Sequence, residues 1–174
     1  MHLWLTGFMG AGKTTTARRL ARILSLPVTD TDTEIEREHG PIADIFETAG
    51  EVEFRALETA VIAKLAAGSA TIVAVGGGAV VSAGNRAAMR ASGTIVHLSI
   101  TPAGAHSRVA HRSHRPVLGP APDLTTIQRV MAARADAYAD SDHCVFVDGR
   151  APASVAQAVA RWYRRRAAAA VPNR

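Results

Sequence analysis

The chain has 174 residues, 48% hydrophobic and 20% charged, which suits one globular domain spanning 1–174 with a sizeable core and excludes a disordered chain. The lone Cys144 excludes an internal disulfide framework, and no apolar run reaches the roughly 18–20 residues that a bilayer span needs. The net charge of +5 comes largely from a basic tail at about 164–174, where cations suit a helix C-terminus; with no nucleic-acid motif beside them, no nucleic-acid partner is expected.

Short β-rich runs alternate with helical patterns, the signature of an α/β fold with a parallel sheet flanked by helices. "HLWLT" predicts a first strand with no basic leader ahead of it, so a cytoplasmic protein is expected. A helix over Lys13 to Leu24 follows, then a short strand "LPVT" (Leu26 to Thr29). In "DTDTEIEREHG" Asp30 or Thr31 can cap the next helix, which Gly40-Pro41 ends. "IADIFETAG" makes a further turn or two, and Glu51 to Ala66 has helical spacing. "TIVAV" (Thr71 to Val75) reads as a buried third strand closed by "GGG".

A helix over Ala83 to Arg90 leads to the strand "TIVHLSI", and Pro102 fits the first turn of another helix. Residues 110–123, rich in Pro, Arg and His, lack periodicity and predict a mobile lid. One helix over Leu124 to Ala139, a strand "CVFVD" and a helix from about Pro152 complete the chain. Cys144, inside the apolar "HCVFV", is expected to be buried.

"GFMGAGKT" fills the pattern G-x-x-x-x-G-K-[ST], with strand before and helix after. Gly7, Gly10, Ala11 and Gly12 let backbone N–H groups turn inward around phosphate oxygens, at the positive end of the following helix. Lys13 would reach the β- and γ-phosphates of a nucleoside triphosphate and Thr14 would ligate Mg²⁺; one of Thr15 and Thr16 can touch the α-phosphate, with helix packing the competing reading for both. "ETAGE" (Glu47 to Glu51) superficially resembles a GTPase switch, but it follows a helical pattern, and the chain has no N-K-x-D guanine motif.

Asp30 and Asp32 sit where open α/β sheets bind ligands, at the C-terminal end of a parallel strand. One can hold Mg²⁺ and the other accept a substrate proton, with helix capping by Asp30 as the competing reading. Gly76, Gly77 and Gly78 end the third strand at the same rim, where a ligand can lie against bare backbone.

Together the motifs "GFMGAGKTT", "DTDTEIE", "IADIFETAGEVEFRALE", "GGGAV", "HRPVL" and "MAARADAY", in this order, resemble those of the shikimate kinases over nearly the whole chain. The resemblance implies a three-layer P-loop kinase of the nucleoside monophosphate kinase type, its five parallel strands in the order 2-3-1-4-5. It implies transfer of the ATP γ-phosphoryl to the 3-hydroxyl of shikimate, within aromatic amino-acid biosynthesis, and a monomer. By that resemblance Asp32 meets the hydroxyl and Asp30 holds a Mg²⁺-bound water. Arg55 and Arg134 clamp the shikimate carboxylate, Glu58 orients Arg55, and Phe46 and Phe54 form an apolar wall. Gly76, Gly77 and Gly78 lie beside the substrate ring, Arg115 in the lid meets the transferring phosphoryl, and Arg108, Arg150 and Pro152 stand on the adenine side. Arginine forks suit a carboxylate independently of any family.

One departure is Val75, which offers no hydroxyl before the triple glycine. His111 and His114 in the lid are expected to be solvated rather than metal ligands. The alternatives are a related kinase for gluconate or a cyclitol, and a non-catalytic nucleotide-binding domain.

Overall fold

The computed structural model describes residues 1–109 and 122–169. Five parallel strands form one sheet in the order β2-β3-β1-β4-β5: β1 His2–Thr6, β2 Val28–Asp30, β3 Ile72–Ala74, β4 Gly93–Ser99 and β5 His143–Phe146. The middle strand, β1, has every residue buried. Leu3 pairs with Ile72 on one side and Thr94 on the other. Its two polar ring systems are satisfied inside the core: His2 Nδ1 accepts from the Thr71 amide at 3.2 Å, and Trp4 Nε1 donates to Ser92 Oγ at 3.2 Å.

The helices follow the sequence closely. They are α1 Lys13–Leu24, α2 Thr31–His39, α3 Ile42–Thr48, α4 Gly50–Ala66, α5 Ala83–Ser92, α6 Pro102–Val109, α7 Leu124–Ala132, α8 Ala135–Ala139 and α9 Pro152–Ala169, with a 3₁₀ turn over Ala79–Val81. Helix α1 packs against α9, and α4 against α5. The main core joins these helices to the sheet, and a smaller cluster of Ile35, Ile45, Phe54 and Val61 ties α2, α3 and α4 together. That second cluster braces the helix from which Arg55 and Glu58 project. Burying each of its large side chains contributes about 1.5–3 kcal/mol.

Three expectations change. The second strand starts later than "LPVT" suggests, because Pro27 has no amide to donate; its carbonyl still accepts from the Ile72 amide at 2.9 Å. The predicted single helix over Leu124 to Ala139 is broken into α7 and α8. Arg134, between them, takes a non-helical conformation (φ −111°, ψ 3°), and its buried guanidinium donates to the Gly77 carbonyl. Cys144 is exposed rather than buried, since β5 is an edge strand and Cys144 faces away from the core that holds Val145. Among the described residues no helix is long and apolar enough to cross a membrane.

Candidate active site

The loop between β1 and α1 opens onto a cavity of about 590 Å³. Gly10, Ala11, Gly12, Lys13, Thr14, Thr15 and Thr16 line one wall, Asp30 and Asp32 another, and Arg108, Arg150 and Pro152 the far side. Gly7 stands behind the loop with φ +143°. A Cβ on it would lie 2.5 Å from the Leu98 carbonyl oxygen of β4, so only glycine fits. Lys13 Nζ donates to the Gly7 carbonyl at 2.8 Å and to the Phe8 carbonyl at 3.2 Å, which holds the ammonium over its own loop. Thr15 is exposed in the cavity, whereas Thr16 is buried.

Thr14 and Asp30 meet directly: Thr14 Oγ1 donates to Asp30 Oδ2 at 2.6 Å. The other carboxylate oxygen accepts the Asp32 amide at 3.1 Å and caps α2. The two readings of Asp30 are therefore compatible, one oxygen serving each. A hydroxyl beside a carboxylate is an oxygen-donor set that suits a hard cation such as Mg²⁺. Among the described residues no cluster of three or more His, Cys, Asp or Glu could cage a metal. A cation here would take its remaining ligands from phosphates and water, the habit of Mg²⁺.

On the far side of the cavity Arg108 donates to the Gly10 carbonyl at 3.1 Å and lies 3.7 Å from Asp148. Arg150 donates to the Phe146 carbonyl and to Ser154 at 3.3 Å, so it also ties down the turn that enters α9.

The second half of the site lies beyond Asp32. Glu58 is 1% exposed and is paired with Arg55, whose other edge binds Glu51 at 2.8 Å. Burial pushes the Glu58 carboxyl above the usual range, Arg55 pulls against it, and the Asp32 charge adds to the rise. Burial works against the Arg55 charge as well, but Glu58 and Glu51 outweigh it. The guanidinium carbon also lies 5.3 Å from the Phe54 ring centre, and Phe54 packs on Phe46 at 4.8 Å.

The triple glycine runs through this cluster, and at two of its positions a side chain would press on the charged groups. A Cβ on Gly76 would fall 2.5 Å from Glu58 Oε1 and 2.7 Å from Asp32 Oδ1; one on Gly78 would fall 2.5 Å from Arg55. Gly77 offers its carbonyl to Arg134 at 3.1 Å. Asp32, Arg55, Glu58, Gly76, Gly77, Gly78 and Arg134 are thus brought together, with Asp32 on the boundary shared with the cavity. Arg115, His111, His114 and most of the lid lie outside the described residues.

Two polar residues at this boundary were given no site role from the sequence, Thr31 having been weighed only as a helix cap, a place that Asp30 takes. Thr31, fully buried, accepts the Gly76 amide on its hydroxyl at 2.8 Å. Tyr138 donates its hydroxyl to the Gly77 carbonyl at 2.7 Å. A hydroxyl immediately after the strand-two aspartate, and a tyrosine one turn after Arg134, were the available signals.

A family profile described as shikimate kinase matches residues 9–164. A shikimate kinase of Dechloromonas aromatica is 40% identical over 149 residues, covering 85% of this chain and 81% of its own. Among solved structures, a shikimate kinase from Acinetobacter baumannii in complex with shikimate superposes with a TM-score of 0.90 at 32% identity, covering 95% of this chain and 93% of that one. The enzyme from Bacteroides thetaiotaomicron gives 0.85 at 29% identity, covering 94% and 98%.

Proposed function

The chain belongs to the shikimate kinase family, and we propose that it uses the two-part site to carry the γ-phosphoryl of ATP to the 3-hydroxyl of shikimate. The position of Asp32 carries this reading, because its carboxylate faces the nucleotide cavity and also borders the Arg55–Glu58 cluster.

Phosphoryl transfer asks for positioning and charge neutralisation more than for covalent participation by the protein. ATP would lie with its phosphates on the Gly7–Thr15 loop and its base between Arg108 and the Arg150–Pro152 turn. Lys13, leaving the loop carbonyls, would neutralise the β- and γ-phosphates. Thr14 directly, and Asp30 through water, would hold Mg²⁺, which when bound spreads the charge of the phosphate oxygens.

Shikimate would place its carboxylate between Arg55 and Arg134, its ring against Gly76, Gly77 and Gly78, and its edge on Phe46 and Phe54. Its 3-hydroxyl then meets Asp32. The bond from the β–γ bridging oxygen to the γ-phosphorus breaks, a bond from the 3-oxygen forms, and Asp32 accepts the hydroxyl proton. Glu58, buried and paired, fixes the angle at which Arg55 presents its fork. Arg115 would cover the transferring group from a lid at 110–123. A monomeric, cytoplasmic enzyme of one domain completes the proposal, the single cysteine suiting a reducing compartment.

ADP release with Mg-ATP, compared across shikimate, gluconate, a neutral cyclitol and no acceptor, tests the assignment. Turnover is expected with shikimate alone. Turnover with another acceptor would reassign Arg55 and Arg134, and ATP binding without any turnover would favour a non-catalytic nucleotide-binding protein.

A further inference from the structure

We infer that Tyr138 is a positioning residue of the acceptor site, its hydroxyl fixing the Gly77 carbonyl and, through that carbonyl, the Arg134 guanidinium. The inference rests on the acceptor reading above and adds to it a residue outside the carboxylate clamp.

Tyr138 sits on α8, and its amide donates at 3.0 Å to the carbonyl of Arg134, the residue that caps the start of that helix. Both reach one oxygen: the tyrosine hydroxyl donates to the Gly77 carbonyl at 2.7 Å and Arg134 Nη1 donates to it at 3.1 Å. A carbonyl oxygen has two lone pairs, and here the two donors occupy both. Gly77 has no side chain with which to pack, so its peptide is oriented by what bonds its carbonyl.

The tyrosine is itself immobilised. It is 7% exposed, and its ring stacks on His97 of β4 at 4.7 Å and 28°. Among the described residues the buried His97 Nδ1 has no hydrogen-bond partner, and the imidazole presents its flat face to the phenol. Burial raises the phenol pKa above its ordinary 10, which keeps Tyr138 a donor throughout the working range. A second staple lies further along the same two segments: Arg86 donates to the Val80 carbonyl at 2.7 Å and to the Val81 carbonyl at 3.1 Å, and its Nε donates to Asp140 at 2.8 Å. The segment that carries α8 and the one that carries the triple glycine are thus joined at two points, and Tyr138 makes the one at the glycines.

Tyr138→Phe tests this, because it keeps the stack on His97 and removes only the hydroxyl. The expected result is a rise in the shikimate KM of about two- to tenfold, the range a single net hydrogen bond supports. The ATP KM and kcat stay within twofold. Tyr138→p-aminophenylalanine, which restores a donor of similar reach, brings the shikimate KM back toward wild type and serves as the folding control. In an Arg134→Lys background the Tyr138→Phe change adds little, since it acts through that guanidinium. An unchanged shikimate KM in Tyr138→Phe overturns the inference. So does a fall in thermal midpoint accompanied by equal losses for both substrates, which marks a purely structural tyrosine. Wild-type turnover of shikimate, measured alongside, separates failure of the acceptor assignment from failure of this one.

Discussion

Thr14 and Asp30, sixteen residues apart, share a 2.6 Å hydrogen bond from hydroxyl to carboxylate at the mouth of the nucleotide cavity. The bond places the proposed direct and water-mediated partners of Mg²⁺ side by side, while the second oxygen of Asp30 caps α2. Asp30→Asn keeps a good helix cap but loses the charge. The Mg²⁺ concentration for half-maximal activity is expected to rise about 10- to 100-fold, the usual cost of losing a residue that supports a metal ligand. The thermal midpoint of the metal-free protein should stay near wild type. An unmoved Mg²⁺ midpoint would remove Asp30 from the cation site.

Asp32→Asn preserves volume and removes the proposed proton acceptor. Its kcat is expected to fall about 10²- to 10⁴-fold, the range for a positioned base, while ATP affinity by titration is retained. Retained turnover would show that Asp32 is not needed for the transfer.

Gly78→Ala disturbs the site geometry at Arg55. The added Cβ would lie 2.5 Å from Arg55 Nη1 and 2.7 Å from Nη2, so the end of a flexible side chain must yield rather than the backbone. The backbone is therefore spared, but the guanidinium must leave its seat between Glu51 and Glu58, and the buried Glu58 loses its partner, so the thermal midpoint should fall as well. Displacements of this size can cost about 100-fold in activity, so the shikimate KM is expected to rise about 10- to 100-fold with the ATP KM unchanged. Steady-state kinetics with each substrate varied in turn decide it.

His97 predicts a pH dependence of stability. Burial first, then the nearby Lys13 charge, lower its pKa from 6.5 to about 4. Between those values the unfolded chain binds a proton that the folded chain refuses, so stability falls as pH drops from 6.5 toward 4 and is flat above. The contribution is at most about 3 kcal/mol, and partial exposure of the ring reduces it. His97→Phe keeps an aromatic surface under Tyr138 and should flatten the denaturation free energy against pH in that window. An unchanged slope would refute the assignment to His97.

The nucleotide half of the site was legible because its chemistry is local. Gly7, Gly10, Gly12, Lys13 and Thr14 lie within eight positions, and the strand-loop-helix context can be checked within the same stretch. Asp30 and Asp32 were legible for the same reason. The acceptor half draws on α4, the triple glycine and α8, which no short pattern joins; Arg55, Glu58 and Arg134 entered only through the family resemblance. The contacts of Tyr138 and Thr31 were not legible because each acts on a backbone atom far away in sequence, the Gly77 carbonyl and the Gly76 amide. The unbroken helix expected over 124–139 failed on a tertiary demand. Its residues favour continuation, but Arg134 is held to Gly77, and that contact overrides propensity at the break. Cys144 misled because apolar neighbours mark a strand without saying that the strand lies at an edge.

The strand order also sets a timetable for synthesis. Leu3 pairs with Ile72 and Thr94, so the middle strand leaves the ribosome about seventy residues before either flanking strand exists. Until then its leucines and tryptophan have no sheet to enter. Gly7 lies against Leu98 of β4, so the phosphate loop has no back wall before that strand emerges. The first two dozen residues, which announce the chemistry most plainly, are among those that wait longest to take their final shape.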